Sequence, residues 1–288
     1  MSFRTVVIKN RCKLDLCANF MVYRGTEEKR IYIKEISCLI IESTAVSLTA
    51  SLLSELIKND VKVIFCDEKH NPESELVPYY GNYHSSKRLL KQLEWGEDIK
   101  KELWGKIIAE KIVKQSALLA KIGNKLKSQM VYGYSTQVVG ADETNREGHA
   151  AKVYFQALFG ADFERRIDHD INSALNYGYS ILLSCFNREV CASGYLTQLG
   201  IWHKNEFNYF NLSSDIMEPF RVLIDEIVYS LTEEQLKNFK MEILKIFEKQ
   251  LVIKGRKYIF EDSISVYCQS VFDALNSRDV NKVYFYEL

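Results

Sequence analysis

Three short segments of this 288-residue chain carry side chains suited to holding a cation. The first, Asn145-Arg-Glu-Gly-His-Ala-Ala, puts Glu147 in the opening turn of a helix. In the second, Gly200-Ile-Trp-His-Lys, His203 follows the small-residue stretch Ser193-Gly-Tyr-Leu-Thr-Gln-Leu-Gly. The third is Asn211-Leu-Ser-Ser-Asp-Ile-Met-Glu-Pro-Phe-Arg, where Asp215 and Glu218 stand three apart and would share one helix face. Two carboxylates and a neutral imidazole suit a divalent metal. Oxygen-rich ligation favours Mg²⁺ or Mn²⁺, and one imidazole tilts the choice toward Mn²⁺. Each signal also has a plainer reading. Asp215-x-x-Glu218 has the spacing of a capping box, and Glu147 is favoured at a helix start by the dipole alone. A lone His203 is as well suited to a structural role. Spacing does not by itself bring the three segments together.

Other chemistries lack their signatures. No HExxH, GxSxG or GxxxxGK occurs, which disfavours a zincin, an α/β hydrolase and a P-loop NTPase. Of the remaining histidines, His70 and His84 fall in a polar linker and His169 precedes a helix as part of a capping segment.

The elements that must position these residues fall into two regions. Up to residue 66 the pattern is short and alternating, with strands at Arg4–Ile8, Lys13–Leu16, Phe20–Arg24 and Arg30–Lys34. Ser37–Ile41 is a continuous apolar run, as in a strand covered on both faces. A helix over Ser47–Lys58 and a strand over Val61–Cys66 complete the region. Two of the three prolines, Pro72 and Pro78, then mark a break, and the boundary is placed near residue 80. Beyond it the period is helical. Helices are expected from Ile99 through Leu118 toward Leu126, over Glu147–Leu158, over Ile171–Val190, from a capping box at Thr232 through Phe247, and over Ser263–Leu275. The expected class is α+β. A small N-terminal β domain with one helix (1–79) precedes a larger all-α C-terminal domain (80–288), with 80–98 as the linker region.

Lys plus Arg and Asp plus Glu both number 38, so bulk charge excludes a basic nucleic-acid coat. Charge is uneven, however. Lys87–Lys127 holds eleven basic and five acidic residues, a net of +6, which suits a phosphate backbone or simply a solvated helix face. The odd number of cysteines, seven, scattered in apolar runs, suggests a reducing compartment. Too short an apolar start for a signal peptide and no run long enough to span a bilayer lead to the expectation of a soluble, cytoplasmic protein with no membrane contact.

Four motifs in order carry a resemblance that covers nearly the whole chain. They are Asn145-Arg-Glu-Gly-His-Ala-Ala-Lys-Val-Tyr-Phe, Ile171-Asn-Ser-Ala-Leu-Asn-Tyr-Gly-Tyr-Ser, Ser193-Gly-Tyr-Leu-Thr-Gln-Leu-Gly and Ser214-Asp-Ile-Met-Glu-Pro-Phe-Arg. Arg4-Thr-Val-Val-Ile, Val63-Ile-Phe-Cys-Asp and Tyr80-Gly-Asn-Tyr-His-Ser-Ser add to it. The chain resembles the CRISPR-associated spacer-acquisition endonuclease/integrase, the family numbered one in that nomenclature, with a type II-A-like character. The resemblance implies an N-terminal β domain that dimerises and a helical catalytic domain. It implies Glu147, His203 and Glu218 as catalytic metal ligands for Mg²⁺ or Mn²⁺, with Glu218 favoured as the direct ligand and Asp215 in support. Asn172, Asn176 and Tyr177 belong to the helix motif expected beside the site. Lys87, Arg88 and Lys91 are first choices for a DNA track. The implied activity is insertion of short foreign DNA fragments as spacers into a CRISPR array by 3′-hydroxyl transesterification at the repeat, with nicking where water attacks instead. The implied partners are double-stranded DNA fragments, leader–repeat DNA, a second copy of the chain and the second CRISPR-associated adaptation protein. The type II-A effector nuclease and a ring-forming accessory protein join that set. A metal-dependent repair nuclease and a non-catalytic DNA-end scaffold are the alternatives.

Overall fold

In a computed structural model of the chain, residues 4–78 and 85–287 are described. His84 and the start of the Tyr80-Gly-Asn-Tyr motif lie outside them. The chain divides into two compact units, Met1–Tyr80 and Gly81–Leu288.

In the first unit, two four-stranded sheets form from short alternating segments. β1 (Arg4–Ile8), β2 (Cys12–Cys17), β3 (Phe20–Arg24), β4 (Glu28–Tyr32) and β5 (Ile36–Ile41) follow in order. β6 (Val46–Leu48), the helix α1 (Ala50–Lys58), β7 (Lys62–Cys66) and β8 (Pro72–Glu75) complete it. One sheet runs β1-β5-β7-β8 and the other β4-β3-β2-β6. All six residues of β5 are buried, since parallel β1 and β7 flank it and apolar side chains cover both its faces. The unit's core gathers Leu14, Met21, Leu39, Leu52, Leu56 and Val63. Two segments differ from the sequence reading. Val46–Leu48, its last two residues expected to open a helix, pairs with β2, and Thr49 caps α1 by accepting from the Leu52 N–H. The β-branched Val46 and the capping threonine together move the helix start three residues on, from Ser47 to Ala50. Pro72–Glu75, read as a break, adds to β7 as an edge strand, where Pro72 needs no ladder donor. Glu75 there pairs with buried Lys62 at 3.3 Å.

The second unit is helical around α3. Its helices begin with α2 (Ser85–Leu93), α3 (Glu97–Lys121), α4 (Lys125–Ser135), α5 (Arg146–Phe159) and α6 (Asp170–Ala192). Then come α7 (Asn211–Ile216), a 3-10 turn (Glu218–Phe220), α8 (Arg221–Ser230), α9 (Glu233–Lys237) and α10 (Phe239–Leu244). A hairpin of β9 (Gln250–Ile253) and β10 (Arg256–Ile259) precedes α11 (Phe260–Ser277). The architecture is thus mixed α+β, although the hairpin departs from an all-helical second unit. Gly255 at φ +68° forms its turn. The expected linker 80–98 carries α2, which docks by way of Gln92. Its side chain donates to the carbonyls of Leu196 and Leu199 at 2.9 and 3.1 Å and accepts from the Leu196 N–H.

Two helices are shorter than their periodicity predicts. α3 stops at Lys121 because Gly123 takes φ +89° and Asn124 caps α4. The Thr232 capping box is formed, with Gln235 as its reciprocal partner. The helix it opens nevertheless breaks at Asn238 before α10.

Candidate active site

Glu147 owes its position to two caps. Asn145, at φ +51°, accepts from the Gly148 N–H at 3.3 Å. Asp142 accepts from the Arg146 and Glu147 N–H groups at 2.8 and 2.9 Å. These satisfy the otherwise orphaned donors of the first turn of α5 and fix the direction in which Glu147 leaves it.

Asp215 and Glu218 do not share a helix face. The chain changes from α7 into the 3-10 turn between them, with Pro219 at its second position. Asp215 therefore turns toward the loop after Gly200. Its Oδ2 accepts from the N–H groups of Ile201 and Trp202 at 2.6 and 2.8 Å, and its Oδ1 from that of His203 at 3.2 Å. The same Oδ1 bonds His203 Nδ1. The carboxylate is wholly buried and fully engaged, so it orients His203 rather than offering itself to a ligand. With Nδ1 bonded to Asp215, Nε2 is the nitrogen left to act. That hydrogen bond raises the imidazole pKa against the effect of burial, and the charges of Asp215, Glu218 and Glu147 raise it further. Trp104 on α3 packs edge-on to the His203 ring at 5.4 Å and stacks with Trp202. Gly200 is required by space. A Cβ there would lie 2.5 Å from the His203 carbonyl and 2.8 Å from Asp215 Oδ2.

Glu218 faces the other way. Its Oε1 accepts from Arg221 Nε at 2.8 Å and its Oε2 from Lys111 Nζ at 2.5 Å. Lys111 also donates to Glu147 Oε1 at 2.5 Å. One ammonium thus bridges two carboxylates that come from segments 71 residues apart in sequence. Burial raises the Glu218 pKa, and the charges of Arg221 and Lys111 outweigh it, so the carboxyl is held below the usual range. Burial opposes the charge on Lys111, but Glu218 and Glu147 overcome it and keep the ammonium protonated.

Behind this pair lies a buried network. Arg221 lies over the Tyr179 ring at 4.6 Å, and Tyr179 and Tyr154 both donate to Asp225, Tyr154 at 2.8 Å. Burial lifts the Asp225 pKa to about 6, partly offset by those two hydroxyls.

The donor set fits a small divalent cation in kind, with two carboxylates aimed at one positive centre and an imidazole held from behind by Asp215. As placed, no three His, Cys, Asp or Glu side chains among the described residues close around a metal position. The Lys111 ammonium stands between the two carboxylates.

Other expected residues go elsewhere. Asn172 donates to the carbonyls of Glu164 and Ile167 at 2.8 and 2.7 Å, and with Asn176 it accepts from Arg165. Tyr177 is buried edge-on to Phe239. Asn172 and Asn176 secure the 160–169 loop, and Tyr177 packs on α10. Their motif marks packing of α6, which sequence could not separate from support of the site. On α2, Lys87 and Lys91 are exposed, but Arg88 is partly buried and donates to the Tyr195 hydroxyl at 3.1 Å. The basic run through α3 is no continuous track either. Lys106 donates to the Val280 carbonyl, Lys114 to the Tyr286 carbonyl, and Lys121 pairs with Glu226. Missed from the sequence were Asp142, Lys111, Arg221, Tyr179 and Asp225. Asp142 left a local signal three residues before the helix-capping Asn145, and Tyr179 and Arg221 lie within the motifs quoted above.

The profile of the family described as CRISPR associated protein Cas1 matches residues 6–261. The chain belongs to the Cas1 family. A Cas1 relative named a CRISPR-associated endonuclease, from Neisseria meningitidis serogroup C (strain 8013), is 34% identical over 90% of this chain and 87% of its own. Among solved structures, a casposase bound to integration product superposes with a TM-score of 0.79 at 20% identity, covering 98% of this chain and 94% of that one. A chain of a Cas6-RT-Cas1–Cas2 complex gives 0.76 at 16% identity, and this Cas1 chain covers 99% of itself but 36% of that longer chain. At these identities the two superpositions speak to the fold. They extend over both units, including the hairpin-bearing helical unit in which the site lies.

Proposed function

We propose that the chain is a divalent-metal-dependent DNA integrase and endonuclease that inserts short foreign DNA fragments as new spacers into a CRISPR array. One observation carries the proposal: Glu147 and Glu218 converge on a single cation position in the domain where Asp215 holds His203 by its Nδ1. The names of relatives agree with it, one a CRISPR-associated endonuclease and one a casposase bound to integration product.

A bound Mg²⁺ or Mn²⁺ would supply polarisation of a phosphodiester oxygen and offset the charge developing there. Glu147 Oε1, Glu218 Oε2 and His203 Nε2 are the atoms that would hold it. Arg221 anchors Glu218 through its other oxygen, so the carboxylate keeps its direction. Asp215 fixes the His203 tautomer, and Trp104 limits the ring's rotation. The 3′-hydroxyl of the incoming fragment would attack the phosphate at the repeat border in line, joining the repeat's 5′ end to the fragment and releasing the flanking strand's 3′-oxygen as a hydroxyl. One phosphodiester breaks as one forms, with no covalent enzyme intermediate and no nucleotide cofactor. Water in place of the hydroxyl gives nicking.

Beside His203 lies a cavity of about 430 Å³, lined in part by Trp95, Lys100, Lys204 and Tyr209. Its two lysines and two aromatic rings suit a DNA strand end. The proposal includes a homodimer formed through the β domain and assembly with the second CRISPR-associated protein, consistent with a structural relative described in a Cas1–Cas2 complex. In a type II-A setting the effector nuclease and a ring-forming accessory protein would join them.

The test mixes the purified protein and its small partner with labelled 3′-hydroxyl duplexes and a repeat-bearing supercoiled plasmid. Metal-dependent joining at the repeat borders, absent with chelator and with His203→Ala, is expected. Nicking without joining would replace the reading by a repair nuclease, and no reaction at all by a DNA-end scaffold.

A further inference from the structure

The bridge from Lys111 to Glu147 and Glu218 has a consequence for how a metal enters. This inference rests on reading those two carboxylates and His203 as a metal site. Lys111 has a side chain only 10% exposed, and its Nζ lies 2.5 Å from Glu147 Oε1 and 2.5 Å from Glu218 Oε2. A Mg²⁺ or Mn²⁺ ion needs oxygen ligands at roughly 2.1 Å, which are the same two oxygens. Ammonium and ion cannot both occupy that point, because like charges would then stand within a few ångströms in a poorly screened interior. Without any cation, two carboxylates converging there would repel each other. Glu218 is built for an exchange, since Arg221 holds its Oε1 while Oε2 is left to Lys111. The unbranched lysine stem can withdraw without moving α3.

We infer that Lys111 is an internal stand-in cation that keeps Glu147 and Glu218 poised in the metal-free protein and is displaced, still protonated, when the metal binds. Metal affinity is then set by competition, and loading of the site is coupled to release of one lysine. Lys111 is a positioning residue in this account, acting through the two carboxylates.

Mn²⁺ binding to the full-length, chelator-stripped protein, read from the free-ion electron paramagnetic resonance signal, tests this without reference to activity. Lys111→Met removes the competitor and should tighten the Mn²⁺ Kd about tenfold, as removal of a competing state does. Lys111→Arg substitutes a bulkier permanent cation and should weaken it by a similar factor; this variant also serves if the methionine variant does not fold. Tightening by the methionine variant supports displacement, and weakening by the arginine variant supports it where the methionine variant does not fold. Wild-type affinity in both, or weaker binding by the methionine variant, overturns it and leaves the metal site standing. If the wild type binds Mn²⁺ no better than Glu147→Gln, the metal reading itself falls, and displacement with it.

Discussion

Asp215 holds His203 at two points, through the ring Nδ1 and through the backbone N–H, while spending its other oxygen on the N–H groups of Ile201 and Trp202. A fully buried carboxylate thus sets both the loop and the imidazole on it. Asp215→Asn should reduce DNA joining about 10–100-fold, the range for loss of a group that orients a metal-ligating histidine. It should also lower the His203 titration midpoint, because the Asp215 hydrogen bond is the largest influence raising it. Histidine NMR across pH 5–9 checks this, and an unmoved midpoint would remove Asp215 from the role.

Gly200 is where backbone, His203 and Asp215 meet most closely. Gly200→Ala should destabilise the protein by about 1–3 kcal/mol, the usual range for overpacking, and should lower joining by more than the unfolded fraction explains. Chemical denaturation with a parallel activity measurement separates the two effects. Retention of full activity would show that the loop has room.

Asp225 predicts a pH dependence of stability. Burial raises its pKa from 3.8 to about 6 in the folded state, so the folded protein binds this proton more tightly than the unfolded chain. Its contribution is complete below about pH 4 and is lost as pH rises through about 6, amounting to at most about 3 kcal/mol. Asp225→Asn should flatten that part of the stability–pH curve. Urea denaturation at pH 4, 5, 6 and 7 measures it, and an unchanged slope would assign the effect to other groups.

The exposed lysines of α2 and its partly buried arginine should behave differently. Replacing Lys87 and Lys91 together by glutamate should weaken fragment binding and reduce the salt slope by about 2 if both touch phosphates. Arg88→Ala should act mainly on stability through the lost contact with Tyr195. Fluorescence anisotropy at several salt concentrations, with a melting curve for each variant, distinguishes them.

Asp142→Ala removes the acceptor for two N–H groups at the start of α5 and should cost about 1 kcal/mol of stability. The larger effect is expected on joining, because Glu147 leaves the helix in the turn that Asp142 holds. Thermal melting beside the joining assay compares the two losses.

Much of this was legible in the sequence because it is local. The alternation of Arg4–Ile8 and Phe20–Arg24, the continuous apolar run in β5, and the helical spacing from Ile99 through Leu118 each report burial within a few residues. Capping at His169 and Thr232 is local too, with His169 accepting from the Ile171 N–H and Thr232 from that of Gln235. Local patterns misled where backbone geometry changes over a residue or two. Val46–Leu48 became a strand, Asn238 split a helix, and the turn between Asp215 and Glu218 sent their side chains to different neighbours. Periodicity says which residues are buried, but not which neighbour they meet.

What the sequence alone determined is the α+β character and the residue types around the site, because side-chain chemistry and short-range hydrogen bonding are written in consecutive residues. Only the tertiary structure decided their partners. Lys111 reads as one more lysine in a basic run, and it becomes a bridge between Glu147 and Glu218 because α3 packs against both α5 and the 3-10 turn. Asp215 reads as a possible ligand, and it becomes an orienting group because the loop after Gly200 brings three backbone N–H groups to it. Such contacts depend on separations of 12–107 residues, and no local pattern encodes a charge's distant neighbour.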